Sequence, residues 1–233
     1  MFFVHEVHAL EGGREAHFES TLRQTWAPAL AAQPGVRLAW CVRSMPGTAS
    51  FPELITLTAV ADGPTLERLG ERLRTGDLRE LNRALDEGRR SVVRRVLAPL
   101  DFNPLDFELD ALPSAPEPTG DESAMYIHDF VPPRPGQQRA YEVAMGDVFM
   151  KMLASEGRAI SSWAGFETVA GGGPMEENVM VSLIPTGEAG ARLLTTDIPR
   201  DYLKPGVWTW DALALRDTWV SRLVRTVPWS PLR

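Results

Sequence analysis

The chain has very little lysine and cysteine. Of 233 residues only Lys151 and Lys204 are lysines and only Cys41 is a cysteine. One thiol excludes an intrachain disulfide and a thiolate metal cluster, and it suits a reducing compartment, so the cytoplasm is the expected location. The net charge is −7, with no run of basic residues. That excludes a nucleic acid or an anionic membrane surface as partner, because both are gripped by clustered Lys and Arg. No stretch approaches the roughly 18 apolar residues of a membrane span. The apolar start is broken by His5 and Glu6, which does not read as a signal peptide. Histidine is also scarce: there are four, and none follows His128. No Ser-His-Asp nucleophile motif, phosphate loop or dinucleotide fingerprint is present.

What is present is said twice. Residues 3–7 (Phe-Val-His-Glu-Val) reappear, shifted by 123, as Tyr126, Ile127, His128, Asp129 and Phe130. Each copy reads as a strand, 2–10 and 125–131, ending in a loop. Helices over 14–32 and 137–155 follow. Phe18, Leu22, Trp26 and Leu30 form an apolar stripe on the first, and Tyr141, Met145, Phe149 and Leu153 on the second. Trp163 matches Trp40. Strict alternation makes 36–44 a strand, and 53–61 a third, antiparallel to it. A helical region is expected over 62–95, broken near Thr75-Gly76-Asp77, then a short strand or extended tail over 96–102 with Pro99 at an edge. At the C-terminus Arg216 falls on Arg89, Arg222 on Arg95 and Trp229 on Phe102. This is a tandem βαββαβ repeat, an α+β chain of two ferredoxin-like units. The units span 1–105 and 124–233, and the Pro-rich acidic stretch 106–123 reads as a linker. The bare face of each sheet is expected to pack on the other.

His5 and His128 are the catalytic candidates, since an imidazole shut among apolar neighbours can be tuned as a base. The competing reading is a core histidine inherited by both copies. Glu6 and Asp129 cannot orient them, because adjacent strand residues face opposite ways. The same alternation, and a spacing of three, removes His5-Glu6-Val7-His8 as a zinc motif, so no metal is expected. Tyr126, Tyr141, Phe149, Trp163, Tyr202, Trp208 and Trp210 are candidates for binding a flat hydrophobic ligand, with core packing as the alternative for Trp163. Asp197, Tyr202, Lys204, Trp208 and Trp210 lie on a loop that departs from the repeat, where function tends to sit. The paired arginines 89/216 and 95/222 could hold a carboxylate or phenolate, or bridge acids on a solvated helix face. Gly171-Gly172-Gly173 reads as a flexible turn, and Cys41 as an inert buried thiol.

The order strand, helix, two strands, helix and strand, closed by Phe102-Asn103-Pro104-Leu105 and Trp229-Ser230-Pro231-Leu232, resembles the dimeric α/β-barrel superfamily, and in tandem form the NIPSNAP-type proteins. The resemblance implies an intramolecular dimeric α/β barrel, a monomer or homodimer. The superfamily includes cofactor-independent monooxygenases, polyketide cyclases, isomerases and haem enzymes. It implies an enzyme without cofactor that abstracts a proton from an aromatic or polyketide-like small molecule, using a strand histidine. Two alternatives accompany it: a non-catalytic binding or scaffold protein, and a haem enzyme with His17, the one histidine on a predicted helix, as ligand. His17 sits beside the apolar stripe, which points it to solvent. The cyclases' second histidine, late in the unit, has no counterpart here.

Overall fold

A computed structural model describes residues 1–120, 123–154, 160–172, 176–195 and 204–233. The first unit runs β1 (Phe2–Leu10), α1 (Glu15–Thr21, continuing through a π-helical turn Leu22–Trp26 into Ala27–Ala31), β2 (Val36–Ser44), β3 (Glu53–Val60), α2 (Gly63–Arg74), α3 (Leu78–Asp86) and β4 (Arg89–Pro99). The second runs β5 (Met125–Val131), α4 (Gln138–Ala144, a π-helical turn Met145–Phe149, then Met150–Leu153), β6 (Ser161–Gly171), β7 (Asn178–Ile184), α5 (Gly187–Thr195), α6 (Trp208–Asp211) and β8 (Val220–Thr226). The repeat holds down to its irregularities. Both π turns fall at the same shift, and Gly13 and Gly136 both take positive φ at the turn before the first helix, a conformation glycine adopts without strain.

The strands close into one barrel in the order β1-β3-β2-β8-β5-β7-β6-β4. Two sheets facing each other have zipped along both edges. β2 pairs with β8 and β4 with β6, and the pairs Val42–Thr226 and Phe166–Pro99 are equivalent across the repeat. Closure leaves no free edge. The helical region expected to reach residue 95 stops at Asp86, and β4 takes 89–99. Gly88 ends the helix, its N–H bonding Leu85 O. The arginines that favour helix in isolation are instead strand residues paired with acids from elsewhere: Arg94 with Glu6, and Arg95 with Glu177. Pro99 is the last residue of β4, where a missing N–H costs little.

Alternation along the strands sorts the core into an inside and two outer layers. Phe3, Val7, Trp40, Ile55, Leu57, Tyr126, Phe130, Phe166 and Val181 fill the barrel. The 106–123 stretch is more than a spacer. Leu112 is buried, and Leu105, Phe107 and Leu109 pack on this interior, with Phe107 edge-on to Phe3 at 6.2 Å. Outside, α1 to α3 cover the first sheet and α4 and α6 the second.

The aromatic tails cross over. Trp229, from the end of the second unit, packs among Phe18, Leu22 and Trp26 of the first and donates from Nε1 to Glu19 at 2.9 Å. Phe102, from the end of the first, packs with Tyr141 and Met145 of the second. This reciprocal exchange locks the halves together. Trp229→Ala is therefore expected to cost about 3–5 kcal/mol in urea unfolding. Gly146→Ala, whose Cβ would come within 2.9 Å of the Phe102 ring, is expected to cost about 1–3 kcal/mol.

Candidate functional site

His5 and His128 meet at the centre of the barrel. Their Nε2 atoms lie 3.0 Å apart, with the rings 7° from parallel and both edge-on to Phe130. One ring donates and the other accepts, so the accepting ring is neutral. Burial, and then the charges of Arg222 and Arg95, push His128 down to about 3. Burial, then His128 and the same arginines, hold His5 well below its usual value. Exposure is 1% for His5 and 0% for His128. Tyr126 and Trp163 join Trp40 beside them, with ring centroids 5.1–5.5 Å apart. Of these four predicted residues His5, His128 and Tyr126 are packed interior, and Trp163 is half-buried against them.

Asp129, on the opposite face of β5 from His128, lies in a different setting. With Val131 on the same strand face, Tyr141, Met145 and Phe149 on α4, Met180, Trp208, Thr209, Arg216 and Trp219, it lines a cavity of about 130 Å³ in the helical layer of the second unit. Trp208 tilts against Tyr141 (5.9 Å) and Phe149 (5.6 Å). The Arg216 guanidinium lies 4.0 Å over the Trp219 ring. Burial raises the Asp129 carboxyl to about 6, only partly offset by the hydrogen bond it accepts from Ser221 Oγ and by the charge of Arg216. Burial also raises the Tyr141 phenol and lowers Arg216. Arg216 Nε and Nη1 are buried without a partner in the chain. The pocket thus holds a carboxylate poised to take a proton, beside two unspent cationic donors.

The first unit holds the same acid and arginine, and both are spent. In identical registers Glu6 lies opposite Arg94 and Asp129 opposite Ser221. Arg94 clasps Glu6 Oε1 through Nε (2.9 Å) and Nη2 (2.6 Å). Burial alone would raise Glu6, but its interactions with His8 and with the Arg94 guanidinium overcome it and hold the carboxyl below its usual range. Arg89, the counterpart of Arg216, bonds Asp86, Asn82 and His8 Nδ1. Because arginine only donates, His8 carries its proton on Nε2 and gives it to Thr56 Oγ1 at 3.1 Å. In the second unit Ser221 replaces Arg94, Val131 replaces His8, and Leu213 stands three residues before Arg216 where Asp86 stands before Arg89. The charged partners of the acid and the arginine have been removed, and what remains is neutral: the Ser221 hydroxyl on Asp129, and the Tyr141 phenol and Trp219 ring beside Arg216.

Solved structures carry this architecture. An anthrone oxidase-like protein superposes on 97% of this chain and 91% of its own, with a TM-score of 0.66 at 13% identity. A protein named provisionally as a monooxygenase, from Fusobacterium nucleatum subsp. nucleatum, matches the same shares at 0.59 and 4% identity. The fold is the dimeric α/β barrel. A NIPSNAP family protein from Agrobacterium tumefaciens str. C58 matches 46% of this chain and 100% of its own, at 0.37 and 19% identity. No protein-family model and no curated protein matches. Likeness at these identities carries the fold and leaves the chemistry to the site.

In this dimeric α/β barrel the remaining candidates scatter. Trp210 is 43% exposed in a shallow surface hollow with Asp211, Leu213 and Ala214, away from the pocket. Asp197 and Tyr202 lie outside the described residues. Burial raises the Cys41 thiol, as suits an inert residue. The four histidines do not fit a haem: His5, His8 and His128 are bonded within the core and His17 faces solvent. Among the described residues no group of three or more His, Cys, Asp or Glu side chains could hold a metal ion. Reading the sequence for histidines passed over Asp129 as a base and Ser221 as its partner, while Arg216 stood only among the paired arginines and Trp219 among the aromatics. The available signal was the loss of Arg94 and Asp86 from the second copy.

Proposed function

We propose that this dimeric α/β barrel is a cofactor-independent enzyme that takes a proton from an activated carbon of a hydrophobic aromatic small molecule, in the pocket of the second unit. Asp129 is the base. Arg216 and Tyr141 hold the oxygen on which negative charge develops, as donors aimed at a forming oxyanion do. The observation that carries this reading is a carboxyl near 6 facing an arginine with unspent donors. A base tuned toward neutrality is what carbon-proton abstraction needs. About 130 Å³ takes roughly one benzene-sized ring, since a cavity of about 150 Å³ binds benzene. A fused-ring substrate would set one ring against the wall that Trp208 and Tyr141 form and leave the rest toward the open side. The histidine pair is the weaker candidate, because imidazoles held below their usual value inside a filled barrel meet no substrate.

Oxygenation fits best with the likeness to an anthrone oxidase-like protein. The methylene C–H bond breaks, its proton goes to Asp129, and the carbanion's electron pair reduces dioxygen. The resulting hydroperoxide loses water, so a tricyclic ketone and one O₂ give a quinone and one H₂O. Cyclisation or isomerisation would begin with the same proton transfer. The competing reading, a non-catalytic binding or scaffold protein, is favoured by the filled barrel and the sealed first unit. Oxygen uptake with anthrone, followed with quinone absorbance, separates the two. Uptake matched one to one by quinone and lost in Asp129→Asn supports the enzyme. No uptake with anthrone or its hydroxylated relatives would leave the binding reading. Arg216→Met is expected to lower kcat about 10²-fold through loss of oxyanion donors, measured by the same assay.

A further inference from the structure

The open end of the barrel holds a feature that the second-unit pocket does not use. A cavity of about 260 Å³ is lined by Val7, Phe130, Glu53, Glu177, Val93, Val220, Arg95 and Arg222. These are four pairs of repeat equivalents, so the cavity straddles the axis relating the two units. Phe130 forms its floor and separates it from the histidine pair.

The symmetry is broken in its hydrogen bonds. Arg95 donates from Nε to Glu177 at 2.6 Å. Arg222 comes only to 3.4 Å from Glu53 Oε2, and no hydrogen bond forms. Arg222 Nε and Nη1 and Glu53 Oε2 are all buried and unsatisfied. A buried guanidinium left this way is costly and marks a place where a further group belongs. A metal ion is excluded by electrostatics: two arginines face the space, and one of the two carboxylates is already taken. Burial raises the Glu53 carboxyl, which favours its protonated, donating form beside a bound anion. Val7, Val93, Val220 and Phe130 supply apolar walls.

We propose that this barrel mouth is a second ligand site, taking a small carboxylate with an apolar body whose oxygens accept from Arg222 and whose body lies on Phe130 and the valines. The probe is benzoate, titrated calorimetrically into the full chain. Saturable one-to-one binding is expected, weakened about tenfold or more in Arg222→Met through loss of a charged hydrogen bond. Val93→Trp, a change at an exposed position on the rim, is expected to abolish binding by filling the space. It keeps the test available if Arg222→Met fails to fold. Binding in Asp129→Asn should match that of the unaltered chain. Absence of saturable binding, binding unchanged by Val93→Trp, or binding altered in either direction by Asp129→Asn would each overturn the assignment, the last by placing benzoate in the other pocket.

Discussion

Asp129→Asn is expected to lower turnover about 10²–10⁴-fold, the usual contribution of a positioned general base, with no loss of stability. The side chain keeps its shape and can still bond Ser221, while a charge that burial disfavours is gone. The same substitution in the first unit should behave in the opposite way. Glu6→Gln removes the negative charge from the oxygen to which Arg94 Nε and Nη2 both donate and should cost stability while leaving turnover intact. Ser221→Arg carries the argument further. It restores at position 221 the arginine that Arg94 supplies to Glu6, so the Asp129 carboxyl should fall below its ordinary range. As a stronger acid it is a poorer base, and kcat/KM should drop while its acid limb moves to lower pH. Full activity in Asp129→Asn would remove this residue from the mechanism.

The second large effect is on stability toward acid. Burial is the main cause that depresses His5, His8 and His128, with His8 at about 4 and His128 at about 3. The unfolded chain binds protons on these rings below about 6.5, and the folded chain refuses them, His8 until about 4 and His128 until about 3. Stability is therefore whole above 6.5 and is lost as pH falls through that window. At pH 5 the loss is about 2 kcal/mol for each of His8 and His128. Asp129 works the other way. Its folded value near 6 means the native state binds the extra proton, returning about 1.4 kcal/mol at pH 5. Urea unfolding at pH 7 and pH 5 should show a net loss of roughly 2.5 kcal/mol before His5 is counted. The double variant His5→Leu/His128→Leu removes both partners of a buried bond, a change that can be nearly neutral at pH 7, and should flatten the slope. An unchanged slope would mean that the pair titrates normally. Loss of turnover in a folded double variant would return the base to the histidines.

The sequence carries the repeat because the same element phases recur at one shift, and the strand alternation that parts His5 from Glu6 is the alternation of the structure. Other features depend on contacts far apart in the chain. Residues 89–95 read as helix because arginine is a good helix former, and nothing nearby shows that Arg94 and Arg95 answer Glu6 and Glu177. The pairing of β2 with β8 and of β4 with β6, and the crossing of Phe102 and Trp229, join residues that no local pattern links. The site was legible in its walls, Tyr141, Phe149 and Trp208, because they share a helical stripe or depart from the repeat. Asp129 was hidden by its likeness to Glu6. Only the register that sets one opposite Arg94 and the other opposite Ser221 tells a spent acid from an available one.

The central claim, that Asp129 is a carboxyl held ready near neutrality, can be tested without knowing the substrate. Carboxyl ¹³C resonances are followed by NMR from pH 8 to 3 in protein labelled at aspartate, with Asp129→Asn identifying the signal. The account predicts a midpoint near 6 that falls below the ordinary aspartate value of about 3.9 in Ser221→Arg. A midpoint at or below about 4 in the unaltered chain would contradict it.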